Sequence, residues 1–247
     1  MEEFMADTAE LEMLEKLKDY DTPSICNVVA TYPGRPFCLA LFNPWTTNWY
    51  TDDSIRCMFP ELGRTVGYAV TCVYGPPDPS YSGLSYMDVI DAMEVSKKPT
   101  VLVIEQKFPP EIAGKVGLMG ANMVSAAMAV GCIGAVTNGP SRDVDDVREM
   151  KFQYMMSGAT AGHGDQVLHA VNLPVSVAGM DVTPGEIVHM DANGACKFPA
   201  DKLEAVLENL EKLIEEEEKR ISALQKAKSA AEVRAIFKGK IYSDEDR

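Results

Sequence analysis

GANMVSAAMAVGCIGAVTNGPSRD, residues Gly120 to Asp143, is the most informative segment of this chain. Small side chains fill its first half, and four glycines divide it: Gly120, Gly131, Gly134 and Gly139. This pattern predicts a closely packed helix, a turn, and a short strand over residues 135–137. Arg142 and Asp143 follow that strand, so we expect this pair on a loop.

The adjacent Arg142 and Asp143 carry complementary chemistry. A guanidinium can bind an anionic substrate through two parallel hydrogen bonds, while a carboxylate can hold a divalent cation. That combination indicates an enzyme. The alternative is a structural salt bridge, with Asp143 as the N-cap of a helix over residues 144–150. The glycine framework around the pair favours the functional interpretation.

Composition limits the function classes. The chain has 247 residues, of which 46% are hydrophobic, which suits one large domain or one domain with an appendage. The net charge is −14, and residues 201–247 contain 12 acidic and 10 basic side chains, so most of the excess lies in residues 1–200. Such a field opposes binding of nucleic acid. It is compatible with collecting divalent cations, although a solvated acidic surface is the simpler and preferred explanation.

Targeting and redox signals are weak. No apolar stretch approaches the roughly 20 residues that span a bilayer, so we expect no membrane partner and a cytoplasmic location. The six cysteines are scattered singly, without a CxxC pair. We therefore expect reduced, buried thiols rather than a zinc site or disulfides.

Helical and strand patterns alternate along the chain. Helices are predicted over 7–19 with Asp7 as cap, from Thr22 onward with proline at the first helical position, and over 87–93 and 144–150. Strands are predicted over 67–75, 100–105, 175–178 and 187–190. This order indicates an α/β core with a β-rich end.

The end of the chain has a different pattern. Residues 201–237 repeat apolar side chains at helical spacing without an intervening Gly or Pro, which predicts one long helix. Its apolar stripe is too long for its own domain to cover, so subunit packing is expected. We therefore divide the chain into an α/β domain, 1–200, and a helical extension, 201–247.

Several isolated residues allow two interpretations. His163 is either an acid/base group near the site or a solvent-facing loop residue. Glu105 either points toward the site or simply ends its strand. His189 is expected at the surface or between strands, and Trp45 and Trp49 are expected to anchor a core or an interface.

Two blocks of sequence carry a family resemblance. The first is the set Gly120, Gly131, Gly134, Gly139, Arg142 and Asp143, and the second is PVSVAGMDVTPGEIVHMDANGACKFP from Pro174 to Pro199. Over roughly residues 20–200 the chain resembles the RraA-like family, which includes 4-hydroxy-4-methyl-2-oxoglutarate aldolases that also decarboxylate oxaloacetate.

The resemblance implies a swivelling β/β/α-type fold, assembled as a homotrimer or homohexamer with active sites at subunit boundaries. It implies a lyase that acts on a pyruvate-type 2-oxo acid through an enolate. Asp143 would hold Mg²⁺ or Mn²⁺, and Arg142 would bind the carboxylate and keto oxygen of the substrate. The backbone amides of Gly120, Ala121, Asn122 and Met123 would receive the same anion.

The chain departs from the family pattern at three places. Ala121 stands where the aldolases have an acidic residue, Asn27 stands where aspartate is frequent, and the segment 158–165 lacks expected prolines. Asp146 and His163 are candidates to replace the missing acid/base group. Two alternatives remain: a non-catalytic regulator resembling those that inhibit RNase E by protein contact, and a related metal-dependent enzyme with another reaction. Retention of Asp143 favours an enzyme.

Overall fold

The computed structural model describes residues 8–32, 35–81 and 83–238. The helices are α1 (Thr8–Leu17), α2 (Thr22–Val29), α3 (Tyr86–Glu94), α4 (Pro110–Ala113), α5 (Ala121–Ala129), α6 (Val144–Glu149), α7 (Leu203–Lys226) and α8 (Ala230–Phe237). The strands are β1 (Arg56–Cys57), β2 (Thr65–Gly75), β3 (Thr100–Gln106), β4 (Cys132–Thr137), β5 (Gln153–Met156), β6 (Val167–Val171), β7 (Val175–Val177), β8 (Met180–Val182), β9 (Ile187–Asp191) and β10 (Gly194–Phe198).

One eight-stranded sheet organises the molecule. Its order is β1-β5-β4-β3-β2-β9-β10, and β6 also pairs with β2. The central strands β2, β3, β4 and β5 run parallel because helices α3, α5 and α6 cross between them. Every residue of β2 is buried, as expected for a strand covered on both faces. The predicted α/β alternation is confirmed.

Different secondary-structure elements pack on the two faces of the central sheet. Helices α3, α5 and α6 pack on one face, where Leu102, Val124 and Tyr154 belong to one buried cluster. The antiparallel pair β7 and β8 covers the other face, where Val103 and Val177 belong to a second cluster. The sheet is therefore the middle layer of the domain.

A third cluster joins helices α1, α2 and α7 to strands β9 and β10. Leu14 of α1, Ile25 of α2 and Leu210 of α7 pack together above β9 and β10. Trp49 belongs to this cluster and is 1% exposed, so its predicted role as a core anchor is confirmed. Trp45 is 90% exposed and lies outside this core.

The C-terminal region contains the long helix that was predicted, but it ends earlier. Helix α7 stops at Lys226, Ala227 is extended, and Ser229 begins α8 by accepting a hydrogen bond from the Glu232 N–H at 3.2 Å. The prediction of one helix through Phe237 is therefore wrong. The first half of α7 packs against α1 and α2, and the division of the chain at residue 200 stays a prediction.

Other boundaries differ from the sequence predictions. Helix α2 begins at Thr22 as predicted, with Asp21 as its cap, whereas the predicted cap Asp7 lies outside the described residues. Strands β5, β6, β8 and β10 were not predicted. All six cysteines carry free thiols. Within the described ranges, no helix has both the length and the apolar character needed to cross a bilayer.

Candidate active site

Three loops meet beyond the carboxyl ends of the parallel strands. They comprise residues 107–120 after β3, 138–143 after β4, and 157–166 after β5. In parallel α/β sheets, ligands bind in the crevice outside these strand ends, where successive loops converge. The topology therefore brings the predicted Arg142 and Asp143 to the edge where ligands of such sheets bind.

Backbone hydrogen bonds fix the three loops to one another. The bonds run from Leu118 N to Pro140 O (3.1 Å), Ser141 N to Gly158 O (3.0 Å), Thr160 N to Ser141 O (2.9 Å) and Gly117 N to Gly162 O (3.0 Å). The fully buried Ser141 hydroxyl is within hydrogen-bonding distance of the Leu118 carbonyl and the Tyr154 hydroxyl. Burial raises the pKa of Tyr154, so its phenol stays protonated. The loops form one hydrogen-bonded frame.

Asp143 is held in an unusual conformation. Its backbone is left-handed (φ 56°, ψ 41°), and its Oδ2 accepts a hydrogen bond from the Ala121 N–H at 3.0 Å. Asp143 occupies the N-cap position of α6, as the structural alternative predicted, but its side chain makes no capping hydrogen bond to that helix. A Cβ built on Gly120 would overlap Asp143 Oδ2, which explains why glycine stands there.

Arg142 is half-buried beside Asp143. Its aliphatic stem lies against Gly117, where a built Cβ would be 2.7 Å from Arg142 Cγ. Across residues 8–32, 35–81 and 83–238, no carboxylate pairs with its guanidinium and no acceptor receives its N–H groups. The structural salt bridge between Arg142 and Asp143 is thus not formed. A guanidinium left without an anion is ready to bind one.

A cleft of about 330 Å³ opens in front of this pair. Its lining residues are Gly117, Met119, Gly120, Asn122, Met123, Arg142, Asp143, His163 and Gln166. In the part of the chain that the structure describes, three of these lining side chains can carry charge: Arg142, Asp143 and His163. No second carboxylate in that set fills the position left by Ala121.

The start of α5 contributes backbone donors to the cleft. The Ala121 amide is occupied by Asp143, and the Val124 amide bonds to the Gly120 carbonyl. The amides of Asn122 and Met123 have no acceptor among the described residues. An anion at this helix start would therefore meet fewer free donors than the four predicted amides.

His163 is exposed at the rim of the cleft. Its Nδ1 lies 2.6 Å from the Gly164 carbonyl oxygen. Because a carbonyl oxygen can only accept, Nδ1 carries the hydrogen of the neutral ring and Nε2 keeps a lone pair. His163 is consequently suited to take a proton.

Gln166 also lines the cleft, and sequence reasoning missed it. Its Oε1 is shielded from solvent and meets no donor. Neither periodicity nor a motif marks this residue, because it lies in a loop of mixed composition.

The structure does not bring every candidate to the cleft. Asp146 is exposed on α6 and does not line the cleft. Glu105 pairs with Lys107 at 3.3 Å and accepts a long bond (3.4 Å) from the Ser176 N–H, so it faces the β7 side. Asn27 lines a separate cleft beside Thr22.

The donor set limits what metal could bind. Among the described residues, no three His, Cys, Asp or Glu side chains cluster as a closed metal site. Asp143 offers one carboxylate, with Oδ1 free of any hydrogen bond from the described chain. Mg²⁺ and Mn²⁺ fit this set, because hard cations are commonly held by one or two carboxylates, water and substrate oxygens.

Comparison with known proteins identifies the family of the chain. A family model described as RraA-like, Aldolase/RraA, matches residues 22–196, which is more than half of the chain. The chain belongs to the RraA-like family. This membership confirms the resemblance seen in the two sequence blocks.

Individual relatives are distant. The chain is 24% identical over 146 residues to Protein DlpA of Legionella pneumophila, covering 58% of this chain and 23% of that protein. It is 29% identical over 91 residues to the 4-hydroxy-4-methyl-2-oxoglutarate aldolase of Thermus thermophilus, covering 34% of this chain and 52% of that protein. The chain thus spans less than two thirds of the length of the curated relatives it matches.

A solved structure supports the fold. Streptomyces coelicolor RraAS2, described as an unusual member of the RNase ES inhibitor RraA protein family, superposes with a TM-score of 0.64 at 19% identity. The match covers 88% of this chain and 97% of that one. Together with the family model, it confirms the RraA-like α/β fold.

Proposed function

We propose that this RraA-like protein is a divalent-metal-dependent lyase acting on pyruvate-type 2-oxo acids. The observation that carries the proposal is the pair Arg142 and Asp143. The Arg142 guanidinium has no anionic partner within the described chain, while Asp143 is fixed beside it by the Ala121 amide. Both line a cleft at the carboxyl ends of parallel strands. This arrangement suits an anionic substrate that shares a cation with the protein.

Asp143 would hold the metal, with Mg²⁺ or Mn²⁺ as the expected ion. When bound, the cation supplies an electrophile beside the 2-oxo group of the substrate. The hydrogen bond from Ala121 leaves Asp143 Oδ1 available and restricts rotation of the carboxylate. The Asp143 carboxylate would therefore bind the metal in a fixed orientation.

Arg142 would bind the substrate carboxylate through its N–H groups and hold the pyruvyl unit in one orientation. Breaking the C3–C4 bond of a 4-hydroxy-2-oxo acid leaves its electron pair on the pyruvyl part as an enolate. A fixed guanidinium stabilises that developing charge without reorganising during the reaction. Decarboxylation of oxaloacetate would generate the same enolate.

Proton transfer would fall to His163. The C4 hydroxyl loses a proton as the aldehyde product forms, and the enolate carbon later gains one. His163 Nε2 has a lone pair, whereas a guanidinium such as that of Arg142 has donors and no acceptor. Among the lining residues of the described chain, His163 is thus the side chain suited to this transfer besides Asp143, the proposed metal ligand. Ala121 makes such a substitute necessary.

The substitution at Ala121 also favours a second candidate, a non-catalytic regulator that works by protein contact. Unlike the lyase, a regulator would work without a metal and without proton transfer. Assembly as a homotrimer or homohexamer, with sites at subunit boundaries, is compatible with either function and is part of this proposal.

The test is proton exchange at C3 of pyruvate together with pyruvate release from oxaloacetate, each with added Mg²⁺ or Mn²⁺. We expect both in the native protein and neither in Asp143→Ala. Asp145→Ala is the matched control, because Asp145 is 94% exposed on α6, contacts Arg148 and does not line the cleft. If the native protein catalyses neither reaction, the lyase proposal is wrong. Equal activity of Asp143→Ala and Asp145→Ala would also contradict it.

A further inference from the structure

Two buried hydroxyl groups lie next to the turn that leads into α5. Ser141 is fully buried, Tyr154 of β5 is 1% exposed, and their hydroxyl oxygens are 3.0 Å apart. Neither of these two described residues lines the cleft. Any influence of the hydroxyl pair on the cleft must therefore pass through the residues that it contacts.

The two hydroxyls are matched to two backbone carbonyls. Ser141 Oγ is within hydrogen-bonding distance of the Leu118 carbonyl and lies 3.1 Å from that of Met119, while the Tyr154 hydroxyl lies 3.3 Å from the Met119 carbonyl. In the described parts of the chain, no backbone N–H donates to either carbonyl. Each hydroxyl has one hydrogen, so both buried carbonyls are satisfied when Ser141 donates to Leu118 and Tyr154 donates to Met119.

The backbone of Met119 needs such support because it is left-handed, with φ 50°. A residue with a Cβ adopts this conformation at a cost, and the conformation persists only where the surroundings hold it. The preceding Leu118 is fixed by the hydrogen bond from its N–H to the Pro140 carbonyl at 3.1 Å. Tyr154 supplies the bond to Met119 itself.

The Met119 turn sets the direction of the Ala121 amide. Ala121 is the second residue after Met119, and its N–H donates to Asp143 Oδ2 at 3.0 Å. Because peptide planes are rigid, a change in the dihedrals of Met119 would move this N–H relative to the carboxylate. Asp143 is itself two residues beyond Ser141. The hydroxyl pair therefore supports both ends of the hydrogen bond, Tyr154 through Met119 and Ser141 through its own backbone.

From these contacts we propose that Tyr154 is a positioning residue for the Asp143 carboxylate. Its hydroxyl holds the Met119 carbonyl, the turn places the Ala121 N–H, and this N–H orients the carboxylate. Tyr154 acts through these groups rather than by contact with the cleft. The consequence for metal binding rests on the proposed function, in which Asp143 is the metal ligand. The orientation of the carboxylate does not depend on that function.

Tyr154→Phe tests the orientation in metal-free protein, because it removes the hydroxyl and keeps the ring. We expect hydrogen exchange of the Ala121 amide, measured by NMR, to become at least fivefold faster. Tyr86→Phe is the matched control, because the Tyr86 hydroxyl also donates to a backbone carbonyl, that of Met123, at 2.7 Å. That carbonyl lies inside α5, where the helix supplies another donor, so exchange at Ala121 should stay native. Equal exchange rates in the two variants would overturn the inference.

Mn²⁺ binding gives a readout that a loss of stability alone does not change. The Kd is measured from the electron paramagnetic resonance signal of free Mn²⁺, without substrate. Partners that orient metal ligands commonly change metal affinity about 10- to 100-fold, and Tyr154 acts one step farther away, so we expect at least fivefold weaker binding in Tyr154→Phe. Ser141→Ala should weaken binding in the same direction and carries the test if Tyr154→Phe does not fold. A native Kd in the folded variants would contradict the inference.

Asp143→Ala, measured alongside, separates the inference from the proposed function. If Mn²⁺ binding requires Asp143 but Tyr154→Phe keeps native exchange and native affinity, the inference is overturned and the metal site stands. If exchange at Ala121 accelerates in Tyr154→Phe while Asp143→Ala binds Mn²⁺ like the native protein, the orientation of the carboxylate is supported and the proposed metal site is wrong.

Discussion

Two of the places where an arginine lies beside an aspartate in this protein have contrasting surroundings. Near the start of β2, Arg64 donates to the Lys18 carbonyl at 2.8 Å, and its Nε lies 3.9 Å from buried Asp191. Asp191 also accepts hydrogen bonds from the Thr22 N–H at 2.9 Å and the Asn193 N–H at 2.7 Å. These groups are therefore used to hold the chain together.

The pair Arg142 and Asp143 contrasts with that arrangement. Asp143 is exposed and accepts one hydrogen bond, and Arg142 meets no acceptor in the described parts of the chain. A buried carboxylate with several donors stabilises a fold, because each donor would otherwise be unpaired. Polar groups left unpaired beside a cleft stabilise little and remain free for a ligand. The same two residue types thus indicate structure in one region and binding in the other.

The largest expected effect is a loss of activity when Arg142 is replaced. Arg142→Ala should lower kcat/KM for pyruvate release about 1000-fold, equivalent to about 4 kcal/mol, because the substrate carboxylate loses its cation. The free energy of unfolding should change by no more than about 0.5 kcal/mol, since Arg142 has no hydrogen-bond or ion-pair partner in the described chain to lose. Steady-state kinetics and urea unfolding measure the two quantities.

Arg148→Ala is the control for that experiment. Arg148 lies on α6, pairs with Glu61 and Asp145, and is absent from the cleft lining. Its activity should stay close to that of the native protein. Equal loss of activity in both variants would mean that general charge, rather than the position of Arg142, matters.

For Arg64 and Asp191 the main effect of substitution should be on the stability of the fold. Asp191→Ala should lower the free energy of unfolding by about 3 kcal/mol, because the buried Thr22 amide, and the Asn193 amide in its partly buried hydrogen bond, lose their acceptor. Asp143→Ala should lower it by about 1 kcal/mol or less, because its one hydrogen bond is exposed. Urea unfolding of both variants gives the comparison. Equal destabilisation would contradict the distinction between the two regions.

A smaller effect on activity is expected when the carboxylate of Asp143 is displaced. Gly120→Ala should lower kcat/KM about 100-fold, equivalent to about 2.7 kcal/mol, because the new Cβ occupies the position of Asp143 Oδ2. The backbone of Gly120 (φ −72°) accepts alanine without strain. The reason is therefore steric.

Gly114→Ala is a close control for Gly120→Ala. Gly114 has φ −68°, and a Cβ built there meets nothing within 4 Å. Its kinetics should match those of the native protein. A loss of activity in Gly120→Ala no greater than that in Gly114→Ala would show that Asp143 tolerates displacement.

The stability of the fold should also depend on pH through His189, which lies near Asp191 and Arg64. His189 is fully buried, and desolvation lowers its pKa from 6.5 to about 4, although Asp191 opposes the shift and Arg64 adds to it. Between the folded and unfolded pKa values the unfolded chain binds more protons than the folded chain. The free energy of unfolding therefore falls as the pH falls through this range. From pH 7 to pH 5 the loss attributable to His189 should be about 2 kcal/mol.

Unfolding of the native protein and His189→Gln at several pH values tests this effect. Glutamine does not titrate, so the variant's stability should change less between pH 7 and pH 5. Parallel pH profiles for the two proteins would show that His189 is not responsible.

The segment around Gly131 was predictable because its local signals agree. Small residues allow α5 to pack closely, Gly131 takes the positive φ of 86° that the turn requires, and β4 is buried except for the partly buried Ile133. Strands β2 and β3 were predictable for the same reason. Arg142 and Asp143 could be predicted as a pair on a loop, since the loop follows directly from the strand.

His189 shows why other features could not be predicted. The sequence IVHMD left His189 either at the surface or between strands. The structure shows the second, because β9 is paired with β2 and β10 and is covered by α2, so all five residues are buried. His189 Nδ1 lies 2.9 Å from the Thr22 hydroxyl, a partner 167 residues away. Local periodicity carries no information about such a contact.

The break after α7 and the position of Gln166 in the cleft were missed for related reasons. Ser229 is an N-cap residue, but helical spacing continues on both sides, so the pattern masked the interruption. Gln166 comes to the cleft through the hydrogen bonds that join three loops distant in sequence.

The hydrogen-bonded frame of the three loops has a consequence for evolvability. Four bonds between backbone atoms join the segments around Gly117, Ser141 and Thr160. Main-chain bonds do not depend on which side chain each residue carries. Changes at Ala121, His163 or Gln166 can therefore alter what the protein recognises or transforms while its loops keep their positions. A library randomised at these three residues should yield many folded proteins with divergent chemistry.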